Sequence, residues 1–159
     1  MRRARALTVA AVLALGLVGT AFAGIAGAGG DLSKKEYLKE INSICADNND
    51  DLNAIFEEAF AGLDENEEPP PEAIEAAVNQ AIPVFRGALD DIEALEGPST
   101  LDKKVDKLVD EYRAVVDDIE EDPVGSFEGK DPFTKVDKKA KKLGLKQCAQ
   151  SDDEDEGQQ

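Results

Sequence analysis

From Leu32 to Leu63 the apolar residues Leu38, Ile41, Cys45, Leu52, Ile55, Ala59 and Leu63 recur at steps of three, four and seven. That is the period of a helix that buries one face. Ser33 and Glu36 have the spacing of a capping box at its start, and Gly62 lies near its end. The pattern predicts a helix over about 33–62. Cys45 falls on the apolar stripe, and the only other cysteine, Cys148, stands near the far end of the chain. The helix is therefore read as the wall against which the others pack and to which the C-terminus is pinned.

Three further segments carry the same period. Residues 64–71 include three prolines, which break a helix, although the last suits a first helical turn. A second helix is expected over about 71–96, with Ile74, Val78, Ile82, Phe85, Leu89, Ile92 and Leu95 on one face. Pro83 inside it removes a backbone donor, which predicts a kink; a kink is usually a packing feature but can open a small cavity. Gly97-Pro98 ends it, and Ser99 with Asp102 reads as a second capping signature. The third helix, about 99–121, alternates steps of four and three through Leu101, Val105, Leu108, Tyr112, Val115 and Ile119, as in a bundle or coiled coil. Asp131 and Pro132 then open a short fourth helix bearing Phe133, Val136, Ala140 and Leu143, with Gly144-Leu145 as its C-cap.

Residues 1–28 read as a signal peptide. Arg2, Arg3 and Arg5 precede an apolar run from Leu7 to Val18, followed by Ala21-Phe22-Ala23 and Ala26-Gly27-Ala28 as cleavage sites. The alternative is an uncleaved membrane anchor over residues 6–28. Either places the remainder, a helical domain over 31–149 and an acidic tail over 150–159, outside the cytoplasm. The tail has no apolar run to fold around and is expected to be disordered.

The formal charge of the 159 residues is −17. Removing the three arginines leaves 15 basic against 35 acidic side chains, a net −20. Such a field opposes nucleic acid and anionic lipid. The third helix ends in the acidic run 117–122, against its own dipole, which calls for a cation or a basic neighbour. The fourth segment supplies one: Lys135, Lys138, Lys139, Lys141 and Lys142 form a basic face. That face reads as an internal complement to the acidic helices, or as a docking face for an anionic cell-envelope partner.

Histidine is absent, so Ser/His/Asp and Cys/His catalysis are closed to this chain. It has no Gly-rich phosphate loop, and a helical bundle poor in aromatics offers no sugar platform. No cofactor is expected. Asp47, Asn49, Asp51 and Glu58 fall at positions 1, 3, 5 and 12 of a calcium loop, but Leu52 stands where the loop needs glycine. Leu52 also keeps the helical period, so 47–51 reads as the wet side of a helix, with divalent-cation binding as the alternative. Two cysteines in an exported chain read as one disulfide; two separate thiols are the other possibility.

Lys35-Glu36-Tyr37 leading to Cys45, Leu95-Glu96-Gly97-Pro98, Tyr112, and Gly144-Leu145 before Cys148 together resemble a loose group of small exported helical proteins, many of them lipoproteins, from high-G+C Gram-positive bacteria. The resemblance covers about 33–149. It implies a disulfide-tied helical bundle outside the cell and names no substrate. This chain lacks the lipid-bearing cysteine of many such proteins. The expectation is an all-α, up-and-down bundle of about four helices. Its function is expected to be non-enzymatic, in binding or structure, with an unidentified protein or envelope partner. A membrane-anchored accessory subunit is the alternative if 6–28 is retained.

Overall fold

The computed structural model describes residues 32–63, 68–127 and 129–149. The signal-peptide reading, most of the acidic linker and the tail fall outside them. Four helices follow one another: α1 (Lys34–Ala59), α2 (Pro71–Glu93), α3 (Ser99–Glu121) and α4 (Thr134–Leu143). A single 3₁₀ turn, Gly125–Phe127, lies between α3 and α4, and no strand occurs among the described residues. Helices consecutive in the chain pack side by side, α1 on α2, α2 on α3 and α3 on α4.

The start of α1 follows from its capping box. The Ser33 hydroxyl accepts from the Glu36 N–H, and the Glu36 carboxylate accepts from the Ser33 N–H at 3.2 Å. The buried face is Tyr37, Ile41, Cys45 and Asn48, in steps of four, four and three. Leu38, Leu52, Ile55, Ala59 and Leu63 are only half-buried. Tyr37 and Asn48 thus take core positions that a stripe of apolar letters passes over. Tyr37 donates to Asp102 Oδ1 at 2.9 Å, and its ring lies against Gly97. A β-carbon at Gly97 would stand 2.7 Å from ring atoms of a side chain only 1% exposed. Gly97→Ala is therefore expected to cost about 1–3 kcal/mol by overpacking. The check is a lower urea midpoint at unchanged slope; a midpoint equal to the parent's would mean that the ring is not seated there.

Helix α2 opens on Pro71 and continues past Pro83, which lies on its exposed side. Ile74, Val78, Ile82, Leu89 and Ile92 are buried as their spacing predicts, with Phe85 and Leu95 half-buried. In α3 the expected Ser99 cap does not form. The N-cap is Pro98 without a side-chain bond, and Asp102 instead accepts from Gly97 N–H and Tyr37 Oη, tying α3 to the α2–α3 corner and to α1. Val109 and Val116 join Val105, Leu108 and Tyr112 in the core, while Leu101, Val115 and Ile119 stay half-buried.

The fourth helix starts later than its sequence suggests. Asp131 Oδ1 accepts from Phe133 N–H at 2.9 Å and its carbonyl from the Thr134 hydroxyl at 2.8 Å, which closes a turn before α4 begins at Thr134. Gly144 ends α4 in the left-handed region at φ 92°, as only glycine does without strain. The N–H of Leu145 returns to the Ala140 carbonyl, and its side chain is 1% exposed.

Beyond this cap the chain is joined to α1. Cys45 and Cys148 form a disulfide, with their Cα atoms 4.9 Å apart. Amide side chains of α1 flank it. Asn42 donates to the Gly144 carbonyl and accepts from the Gln147 N–H, and Asn49 donates to the Gln147 carbonyl at 2.7 Å. Tyr112 Oη lies 2.7 Å from Asp137 Oδ1 and 2.8 Å from the Cys148 carbonyl, so α3, α4 and the C-terminal segment meet at one hydroxyl. One apolar cluster surrounds this end of the bundle; a second, of Ile74, Val78, Ile82 and Val116, lies towards the other end.

Candidate functional site

The two ends are closed differently because the helices differ in length. At 1.5 Å per residue, the 26 residues of α1 span about 39 Å and the 10 of α4 only about 15 Å. Helix α4 covers the disulfide end. The remaining length of the bundle is roofed by the non-helical segment after α3, which fills the space incompletely.

A cavity of about 510 Å³ lies there. Leu52 and Phe56 of α1 and Phe60 at its C-cap line it, with Val78, Ala81, Ile82 and Phe85 of α2, Val116 and Ile119 of α3, and Phe127, Pro132 and Phe133 of the roof. The chain has six phenylalanines; Phe22 lies outside the described residues, and the other five all line this one cavity. They form two groups. Phe56 stands 5.8 Å from Phe60 and 6.0 Å from Phe127, ring centre to ring centre. Phe85 lies 5.4 Å from Phe133, and Tyr112 backs both at 6.1 Å. These separations suit offset or edge-on aromatic contact. Phe127 is 48% exposed, the only exposed large hydrophobic among the described residues.

Among the described residues, the polar side chains of the lining are Ser126 and Asp131, both in the roof. Among the described residues the lining presents no thiol, no amine and no pair of carboxylates. It offers apolar contact, with oxygen atoms at one margin. Behind it, the Tyr112 hydroxyl is held protonated far above the ordinary phenol range, first by burial and then by its bond to Asp137.

Two other concavities are present. A space of about 40 Å³ beside the disulfide is bordered by Asn48, whose buried Oδ1 has no hydrogen-bond partner among the described residues. Its volume suits a solvent-sized molecule at most. An outer groove of about 480 Å³ between α2 and α3 contains Arg86, whose guanidinium is held by Asp117 and Glu120, each at 2.7 Å.

That pairing alters the expected electrostatics. The acidic end of α3 takes a cation from α2, Arg86. Arg113 likewise bridges Asp90 and Glu93. Of the basic face, Lys139 pairs with Glu111 at 2.6 Å; Lys135, Lys138 and Lys142 are exposed and Lys141 half-buried. All these pairs are at least partly exposed, and such a pair contributes tenths of a kcal/mol to about 1 kcal/mol. Asp47, Asn49, Asp51 and Glu58 lie on the uninterrupted α1, which sets Asp47 and Glu58 about 16 Å apart along its axis. Among the described residues no three acidic, Cys or His side chains are grouped to hold a metal ion.

The sequence pattern assigned Phe85 and Phe133 to buried faces and passed over Phe56, Phe60 and Phe127. Phe56 and Phe60 follow Leu52 at steps of four, a row that branches from the apolar stripe at Leu52; Phe127 sits in a turn and has no period. Compared with known proteins, the chain matches no family model, no curated protein and no solved structure.

Proposed function

We propose that this chain is an exported, non-enzymatic binding protein that holds a small apolar molecule in the cavity between α1, α2, α3 and the 126–133 roof. The observation that carries this reading is the gathering of all five described phenylalanines around one space of about 510 Å³. That volume falls in the range of small-molecule sites, which are concave, mostly apolar and marked by few polar groups. Among the described residues, apolar side chains of large size turn inward and only Phe127 is exposed. A protein interface of standard size, about 800 Å² per partner, would need a broader apolar patch than this. Export rests on the N-terminal pattern. A disulfide belongs to an oxidising compartment, and among the described residues no helix is long and apolar enough to cross a membrane. The non-enzymatic part rests on the absence of histidine and, among the described residues, on a lining without thiol, amine or paired carboxylates.

Titration with an environment-sensitive apolar dye such as N-phenylnaphthylamine tests the reading. Saturable binding at one dye per chain is expected. Ala81 is buried on the wall of the cavity, so Ala81→Phe should weaken binding by about tenfold or more, a loss of at least about 1.4 kcal/mol. Unchanged helical circular dichroism would show that the variant is folded. Non-saturable binding, or equal binding by folded Ala81→Phe, would remove the cavity as the site.

A further inference from the structure

The polar margin of this cavity has an unusual balance. Ser126 has one hydroxyl proton, and it is donated to the Asp122 carbonyl at 2.7 Å. Towards the cavity the oxygen therefore has only lone pairs to offer. Among the described residues Asp131 is the only ionisable one in the lining; it stands exposed at the margin, and a carboxylate is an acceptor alone. Four backbone donors in and beside the roof are committed as well. Gly125 N–H goes to Asp122 Oδ1, Ser126 N–H to the Asp122 carbonyl, Phe127 N–H to Val124, and Phe133 N–H to Asp131. Lys130 and Lys135, the nearest cations in sequence, are exposed and do not line the space.

A ligand with an apolar body and an anionic head would bring its charge beside a carboxylate, with no lining side chain to donate to it. Removing an anion from water without a partner is costly, and a neighbouring like charge adds to the cost. A hydroxyl or ammonium head meets two acceptors, and an ammonium forms a charge-assisted bond.

We propose that the cavity selects apolar molecules whose polar end donates hydrogen bonds, an alcohol or an ammonium, and rejects the corresponding carboxylates, with Asp131 as the discriminating residue. This selectivity rests on the cavity being the binding site. It also gives the roof a purpose: Asp122 accepts from the Gly125 N–H, the Ser126 N–H and the Ser126 hydroxyl, which turns these donors away from the inner margin.

The test is displacement of the bound dye from the full chain by decanol, decylammonium and decanoate at neutral pH, below their aggregation concentrations. The alcohol and the ammonium should displace it at concentrations about tenfold lower than the carboxylate does. Asp131→Asn keeps an oxygen acceptor for Phe133 N–H, so the turn is retained. It should reduce the preference for ammonium over carboxylate about tenfold, while decanol changes by no more than about twofold. Asp110→Asn, on the exposed side of α3, should leave the ratio unaltered. Decanoate displacing as well as decylammonium would overturn the selectivity while leaving the cavity as the site. Equal shifts from Asp131→Asn and Asp110→Asn would also overturn it, since net charge would then set the preference. Failure of the dye itself to bind would remove both readings.

Discussion

Opening the Cys45–Cys148 bond is expected to lower the stability of the bundle by about 2–4 kcal/mol, the common range for a native disulfide. The two cysteines are 103 residues apart. Loop-closure entropy alone gives roughly 4–5 kcal/mol for a span of that size. The melting temperature should fall by about 10 °C or more, at several degrees per kcal/mol for a domain of this length. The loss has a location. Without the bond, the segment after Gly144 is held to α1 by Asn42, Asn49 and the seat of Leu145. Helix α4 then loses its covalent anchor before any other helix does. Hydrogen exchange should rise first in α4 and over 144–149, and later in α1 and α2. The double variant Cys45→Ala/Cys148→Ala should match the reduced protein. A melting temperature unchanged by reductant would show that the amide clamps and core suffice, and that the bond adds little.

This contact was legible because cysteine at a buried helical position, in a chain with one other cysteine, leaves few choices. The helices were legible for a similar reason: α2 and α3 alternate apolar and charged residues at helical spacing between proline and glycine breaks. Other features were hidden by the same period. Asn48 occupies a core position of α1, and its only trace is the seven-residue step from Cys45 to Leu52. Tyr37 begins the buried face, one residue before the Leu38 that an apolar stripe selects. Arg86 and Arg113 take partners across α2 and α3, and a stripe says which face is buried but not which charges meet across it. The acidic end of α3 was matched to the lysines that follow it in sequence, while the fold offers it Arg86. The cavity was the least visible feature. It arises from a mismatch of helix lengths and from a roof without regular structure, and neither has a periodic signature. Only the shortness of α4 could be read in advance.

The tyrosines give the second large effect, at alkaline pH. The chain has two tyrosines and no tryptophan, and both tyrosines are buried, Tyr37 at 1% and Tyr112 at 5% exposure. Each hydroxyl donates to a carboxylate, Asp102 for Tyr37 and Asp137 for Tyr112. Burial first, and then that bond, raise both phenols above their usual range, because ionisation would place a second negative charge beside the acid in a dry site. The folded state thus holds these protons more tightly than the unfolded chain, whose tyrosines titrate near about pH 10. Their contribution is complete below that pH and is lost as pH rises through the folded values. Above about pH 10, stability should fall by about 1.4 kcal/mol per pH unit for each tyrosine. For a bundle near the lower end of the usual range, about 5 kcal/mol, the two together exhaust the stability within about two pH units, before either phenol ionises in place. The phenolate absorbance should therefore stay low past the ordinary tyrosine range, then rise in one step together with the loss of helical circular dichroism. Tyr112→Phe should cost about 1–3 kcal/mol at neutral pH, by removing the hydroxyl that donates to Asp137. It should also halve the phenolate step and make stability fall half as steeply with pH, by about 1.4 rather than about 2.8 kcal/mol per pH unit. A gradual phenolate rise centred near about pH 10, with the helices intact, would show that these hydroxyls face water and that the contacts joining α1 to α3 and α3 to α4 are not made.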